Sequence, residues 1–146
     1  MKTLLTFIGL ALACLIATAA EKKIDRKAVP AAVEAAIRKE EAKGATVKGI
    51  TSEEEQGRTT YEVETTVGGK SRDLVFSAAG AIIETEDEVA IGSIPAAARS
   101  AFEGQGRVLK VEKVTKGSSV TFEAEVEKNG KKTEVAVDAA GKRIKS

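Results

Sequence analysis

The sequence predicts an α+β fold: a tandem repeat of one helix plus a four-stranded antiparallel meander sheet, with the helices packed on one sheet face. Three observations predict it. Short motifs recur in the same order at a nearly fixed offset, each copy opens with apolar residues at helical spacing, and each copy continues in two-residue alternation broken by glycine turns.

The chain begins with Met1-Lys2, an apolar run from Leu4 to Ile16, the small residues Ala17-Thr18-Ala19-Ala20 and then Glu21-Lys22-Lys23. Basic, apolar, small and polar in that order reads as a secretory signal over residues 1–20, cleaved near Ala19 or Ala20. The apolar run is too short for a transmembrane helix, which needs about 20 residues, so no transmembrane segment is expected in the mature chain. A periplasmic or secreted location follows. Cys14, the one cysteine, has a second reading as the acylated residue of a lipoprotein. Leu15-Ile16 continue the apolar run beyond it, where a lipoprotein turns polar, which favours an ordinary signal residue. Either way no thiol serves as nucleophile in the mature chain.

The repeat is read directly. Val29-Pro30-Ala31-Ala32-Val33 returns as Ile94-Pro95-Ala96-Ala97-Ala98 at an offset of 65. Tyr61-Glu62-Val63-Glu64 returns as Phe122-Glu123-Ala124-Glu125, Gly69-Lys70 as Gly130-Lys131 and Ala78-Ala79-Gly80 as Ala139-Ala140-Gly141, all at an offset of 61. Tyr61 to Thr85 and Phe122 to Ser146 share eight identities in 25 positions. The first repeat is placed at 21–88, with a helix over about 29–43 and strands to about 87. The second is placed at 89–146, with a helix over about 94–103 and strands to about 145.

Val29, Val33, Ala36 and Ile37 line one helix face, and Ile94, Ala98, Ala101 and Phe102 line the other. Pro30 and Pro95 suit the first helical turn, where a missing N–H costs nothing, and Gly44, Gly104 and Gly106 suit the stops. A less regular first strand holds Val47 and Ile50, matched by Val108 and Val111. In the second strand Tyr61, Val63 and Val67 face one way and Thr60, Glu62, Glu64 and Thr66 the other; the copy sets Val120, Phe122, Ala124 and Val126 against Thr121, Glu123, Glu125 and Glu127. Gly68-Gly69 and Asn129-Gly130 turn the chain into third strands with Leu74 and Phe76, or Val135 and Val137. The Ala-Gly turns then lead into short fourth strands bearing Ile83 and Ile144.

These residues carry a resemblance. A helix opening with Val/Ile-Pro, a strand reading Tyr/Phe-Glu-Val/Ala-Glu, a Gly-Lys turn and a final Ala-Gly turn, in tandem after a signal, resembles the PepSY-like family of bacterial exported proteins, also described as beta-lactamase-inhibitor-like. The resemblance covers Ala28 to Ser146 and implies an exported binding protein with no catalytic residues of its own. Inhibitors of that kind anchor a partner with exposed aromatics; here Tyr61, Phe76, Phe102 and Phe122 all fall on the expected dry faces.

Composition narrows the chemistry. There is no His and no Trp, and no Ser or Lys stands in a nucleophile motif, so acyl transfer and zinc chemistry lack their usual parts. No enzymatic activity and no cofactor are expected. Of 23 basic residues Lys2 belongs to the leader, leaving the mature chain balanced against 22 acidic ones, which argues against nucleic acid as a partner. Glu53-Glu54-Glu55 and Glu84-Glu86-Asp87-Glu88 offer oxygen ligands to a hard cation, yet their spacing matches no calcium loop and a solvated turn and linker explain them.

The remaining candidate is the wet face of the sheet. Glu62, Glu64, Glu123 and Glu125 share one expected side, with Lys70, Arg72, Lys132 and Glu134 approaching from the next strands. Cross-strand charge pairs account for these residues without a ligand. They also suit docking of another exported or envelope protein. The expected function is therefore an exported, non-catalytic binding module, acting as an inhibitor of a protease or other hydrolase or as an envelope interaction protein. The alternatives are a structural accessory of the cell envelope and a sensor of a small ligand or cation.

Overall fold

The computed structural model describes residues 21–144. The expected signal segment, its cleavage point and Cys14 lie outside them. Eight strands, β1 (Lys22–Lys23), β2 (Thr46–Glu55), β3 (Arg58–Val67), β4 (Lys70–Ser77), β5 (Ile82–Glu88), β6 (Arg107–Lys116), β7 (Ser119–Lys128) and β8 (Lys131–Val137), form one antiparallel sheet in sequence order. Helix α1 (Ala31–Ala42) precedes β2 and α2 (Ala96–Glu103) precedes β6.

This overturns the expected arrangement of two helix-plus-four-stranded meanders. There is a single eight-stranded sheet, and β5 joins it by pairing with β4 on one side and with β6 on the other. The segment Glu84–Glu88, read as a solvated linker, is the central strand. Pairing on both edges satisfies backbone groups that a linker would have left to water. Glu84 and Asp87 lie opposite Lys116 and Lys113 across the β5–β6 ladder. No fourth strand follows β8 among the described residues: after the Ala140-Gly141 turn only the bridge Val137–Arg143 forms. The opposite edge gains instead the two-residue β1, paired to Thr51 and Ser52.

Both helices cover the same sheet face, and each has its own core. Val33 and Ile37 of α1 pack with Ile50, Val63, Leu74 and Phe76, bordered by Tyr61 and Val47. Ala98 and Phe102 of α2 pack with Val111, Phe122, Ala124, Val126, Val135 and Val137. Phe76 and Phe102 have no solvent exposure at all. Burial at this level contributes about 1.5–3 kcal/mol per large apolar side chain, and it is what holds short helices that would be marginal alone. Between the two cores a polar strip crosses the covered face: Arg72, Asp87 and Lys113 lie side by side in register on β4, β5 and β6.

Val47 and Ile50 are three residues apart yet both reach the core, because the β2–β3 register shifts between Val47 and Gly49. The β6–β7 ladder shifts likewise between Val108 and Lys110. One extra residue in a strand restores the inward direction that strict alternation would invert. Pro30 and Pro95 sit one residue earlier than expected, as the N-cap residues of the helices.

The two Ala-Gly turns are pinned under the helices. Gly80, at φ +79°, lies so close to α1 that a Cβ there would stand 2.4 Å from the Ala32 carbonyl oxygen. Gly141, at φ +77°, is held against α2 in the same way, 2.5 Å from the Ala97 carbonyl oxygen. Glycine is required twice over at each place, for the backbone angle and for the close approach.

Candidate functional site

The face that the helices leave bare is set by strand parity. Tyr61, Val63 and Thr65 of β3 point to the helices, so Glu62 and Glu64 point away. Register then carries the bare face across the sheet: Glu53 and Glu55 on β2, Arg58 with the glutamates of β3, Asp73 and Val75 on β4, Glu84, Glu86 and Glu88 on β5, Arg107, Lys110, Glu112, Val114 and Lys116 on β6, Thr121, Glu123, Glu125 and Glu127 on β7, and Lys132 and Glu134 on β8. Carboxylates far outnumber cations here, although the chain as a whole is nearly neutral. The other side mixes its charges: Arg38 and Lys39 of α1, Lys43 just after it, Arg99 of α2, Lys70, Arg72 and Lys113 stand among acids, with Arg38 paired to Glu34, Lys43 to Glu40 and Arg72 to Asp87.

Of the expected site residues, Glu62, Glu64, Glu123, Glu125, Lys132 and Glu134 share this face. Arg72 does not. It has the parity of Leu74 and Phe76, lies on the helix-covered side, and meets Asp87 there with Nε 3.5 Å from Oδ1, an ion pair too long to be a hydrogen bond. Lys70 has the same parity as Arg72. The two acidic runs are divided by the pleat: Glu53 and Glu55 face the bare side and Glu54 the other, while Glu84, Glu86 and Glu88 face the bare side and Asp87 the other.

The bare face is crowded with like charge. Glu64, Asp73 and Glu86 lie directly opposite one another on β3, β4 and β5. Glu88, Glu112 and Glu123 do so on β5, β6 and β7, and Glu125 faces Glu134 across β7 and β8. Directly opposed like charges destabilise a sheet. Cations relieve only part of this: Arg107 Nη2 lies 3.0 Å from Glu127 Oε1, Lys110 Nζ 2.5 Å from Glu112, Lys116 Nζ 3.0 Å from Glu84 and Lys132 Nζ 3.0 Å from Glu125.

Half-burial and crowding raise the carboxyl pKa values. Burial, then Asp73 and Glu21, push Glu62 up to about 7. Burial and Glu112 push Asp73 up to about 6 and Glu86 up to about 8. Glu123 is raised by burial and by its hydrogen bond with Glu134. Glu64 lies over Gly49, where a Cβ would stand 3.2 Å from its Oε2.

Asp73, Glu86 and Glu112 each bring a carboxylate oxygen within 4.8 Å of the others. Lys110 Nζ lies against Glu112, one of the three, so the protein brings a cation of its own beside the trio. Beside it lies a depression of about 120 Å³, walled by Glu53, Glu62, Glu84 and Lys116 and floored by the apolar Val75 and Ile83. Such a floor accepts the aliphatic stem of a Lys or Arg while the rim meets its charge.

Two things escaped the sequence reading: Asp73 and Glu112, which complete the cross-strand columns, and the role of Glu86 at their centre. Counting parity outward from Leu74 and Val111 reaches both. On the helix side Arg26 clamps α1, with Nε 2.8 Å from Glu34 Oε2 and Nη1 2.6 Å from Glu41 Oε1. Those bonds hold the Glu34 carboxyl down at about 2 and lower Glu41 as well.

No helix of the described residues is long and apolar enough to cross a membrane. The sequence matches no family model and no curated protein. Solved structures do match. A Bacteroides eggerthii protein described as periplasmic aligns over 80% of this chain and 86% of its own, at a TM-score of 0.61 and 18% identity. A DUF2874 family protein from Bacteroides uniformis aligns over 80% and 87%, at 0.59 and 19%. A BLIP-like protein from Bacteroides fragilis aligns over 80% and 84%, at 0.53 and 22%. At these identities the likeness is one of fold, and the fold of this chain is therefore BLIP-like.

Proposed function

We propose that this protein is an exported, non-catalytic binding module that docks a basic segment of another exported protein on the bare face of its sheet. One observation carries the reading: in a chain of nearly balanced charge, carboxylates are gathered on the one sheet face that the helices leave open. Electrostatic complementarity of this kind steers encounter and selects partners more than it adds raw affinity. The depression beside Val75 and Ile83 fits a Lys or Arg side chain of the partner. The order of sequence motifs supports a PepSY-like kinship, and the BLIP-like fold suits a protein-binding role.

The test uses a lysine-rich peptide as probe, titrated calorimetrically into the wild type and into a variant carrying Glu62→Gln, Glu64→Gln, Glu123→Gln and Glu125→Gln. The wild type binds at low ionic strength and weakens with added salt; the variant, folded by circular dichroism, binds at least tenfold more weakly. Equal affinities would remove the bare face as the docking surface and direct the search to the helix side.

A further inference from the structure

The bare face holds more acid than its cations can neutralise, and its carboxyls stand opposite one another across the strands. Glu86 is the centre. Asp73 faces it across β4, with Glu64 beyond; Val114, which brings no charge, faces it across β6, with Glu112 diagonal to it. Glu84 and Glu88 flank it on its own strand. Of the nearby cations, Lys116 is held by Glu84 and Lys110 by Glu112.

Glu123 is placed similarly. Glu112 faces it across β6 and the uncharged Ala136 across β8, while Glu125 neighbours it on β7 with its charge met by Lys132. Glu123 is also hydrogen-bonded to Glu134. Two carboxyl groups bond to each other only when one carries a proton, because ionised carboxylates only accept. Two carboxylates sharing a site cannot both ionise at their ordinary pH, so one stays protonated well above it.

We propose that the bare face is a proton-loaded switch: in mildly acid surroundings it is partly neutral and bonded to itself, and as the pH rises toward mildly alkaline it loses protons, becomes fully anionic and takes up a cationic partner. Binding and deprotonation are then linked, since a cation on the face lowers the pH at which its carboxyls ionise and expels their protons. This rests on the docking reading for its partner, but proton loading is a property of the free protein. The raised values at Glu62, Asp73 and Glu86 place the change between about pH 6 and about pH 8.

Two measurements separate the parts. First, the carboxyl groups of the free protein are titrated by NMR from pH 4 to pH 10. Glu62, Glu86 and Glu123 titrate above pH 6, and either Glu86→Gln or Glu123→Gln moves the neighbouring carboxyls down, while Glu103→Gln on α2 moves none of them. All face carboxyls titrating between pH 4 and pH 5 would overturn the switch.

Second, the lysine-rich peptide, cationic throughout, is titrated at pH 5.5, pH 7 and pH 8.5 at constant ionic strength in two buffers of different ionisation enthalpy. Affinity is at least tenfold higher at pH 8.5, and at neutral pH the heat depends on the buffer because protons leave. Binding that is equal at all pH values and buffer-independent would refute the linkage. Absence of binding at all of them, with the high NMR titrations intact, refutes the docking reading and leaves the proton loading standing.

Discussion

Gly80→Ala tests the contact that seats a helix on the sheet, and its size follows from two separable costs. The backbone at Gly80 has φ +79°, a left-handed conformation that costs an L-residue about 1–2 kcal/mol. A Cβ at that place also stands 2.4 Å from the Ala32 carbonyl oxygen, a clash that α1 or the turn must move to relieve, at about 1–3 kcal/mol. Gly57 provides the control, with φ +73° and nothing within 4 Å of its Cβ position. Urea melts of both variants should therefore show Gly57→Ala losing only the backbone cost, about 1–2 kcal/mol, and Gly80→Ala losing about 2–5 kcal/mol. Gly141→Ala, 2.5 Å from the Ala97 carbonyl oxygen, should match Gly80→Ala and loosen α2 in place of α1. Equal losses at Gly57 and Gly80 would show that the helix does not bear on the turn, and the account of how the helices are held would be wrong.

Phe102→Ala empties the centre of the α2 core and should cost about 3–5 kcal/mol in denaturant melts, against under about 1 kcal/mol if the ring were exposed. Stability should fall as the pH rises: Glu86 has a folded pKa of about 8 against an ordinary 4.5, so the folded chain binds its proton more tightly. That contribution is full below about pH 4.5 and gone above about pH 8. Melts at pH 5 should accordingly exceed those at pH 8.5, with a flatter slope in Glu86→Gln; a rising slope would contradict the crowding. Arg26→Ala should cost about 0.5–1 kcal/mol near neutral pH, since the clamp is partly exposed. Its variant should also weaken the acid-side dependence that Glu34 creates, Arg38 remaining 2.8 Å from Glu34 Oε1, because a carboxyl held at about 2 stabilises above its unfolded value and loses that stabilisation as the pH falls through about 2. Melts between pH 2 and pH 5 check the sign.

Much of the chain was legible wherever apolar residues kept a period. Val33 and Ile37 gave a helix face, and Phe122, Ala124 and Val126 gave a dry strand face, because a core selects side chains by direction. Two kinds of feature were not legible. The short fourth strand expected after the Ala79-Gly80 turn is β5, but its pairing with β6 was hidden: it carries Glu84, Glu86 and Glu88 on the bare face and Thr85 and Asp87 on the other, with no apolar alternation to mark a strand buried between two neighbours. Its strand character comes from pairing on both edges, a tertiary effect. Arg72, expected on the wet face, has the same parity as Leu74; an ion pair with Asp87 in the gap between two cores allows it to lie inward. Of the site, the glutamates of β3 and β7 were found through their repetition, whereas Asp73 and Glu112 enter only through cross-strand register.

The gathering of acid on one side of the sheet makes the molecule a permanent electric dipole along the sheet normal, despite a sequence pI of about 7.8. Its behaviour in a field then depends on orientation and not on net charge. Near a polyanionic surface the torque turns the helices inward and the acidic face outward; near a polycationic one it does the reverse. The same protein, at one pH and low salt, should be retained by both anion and cation exchangers, each holding it by a different side.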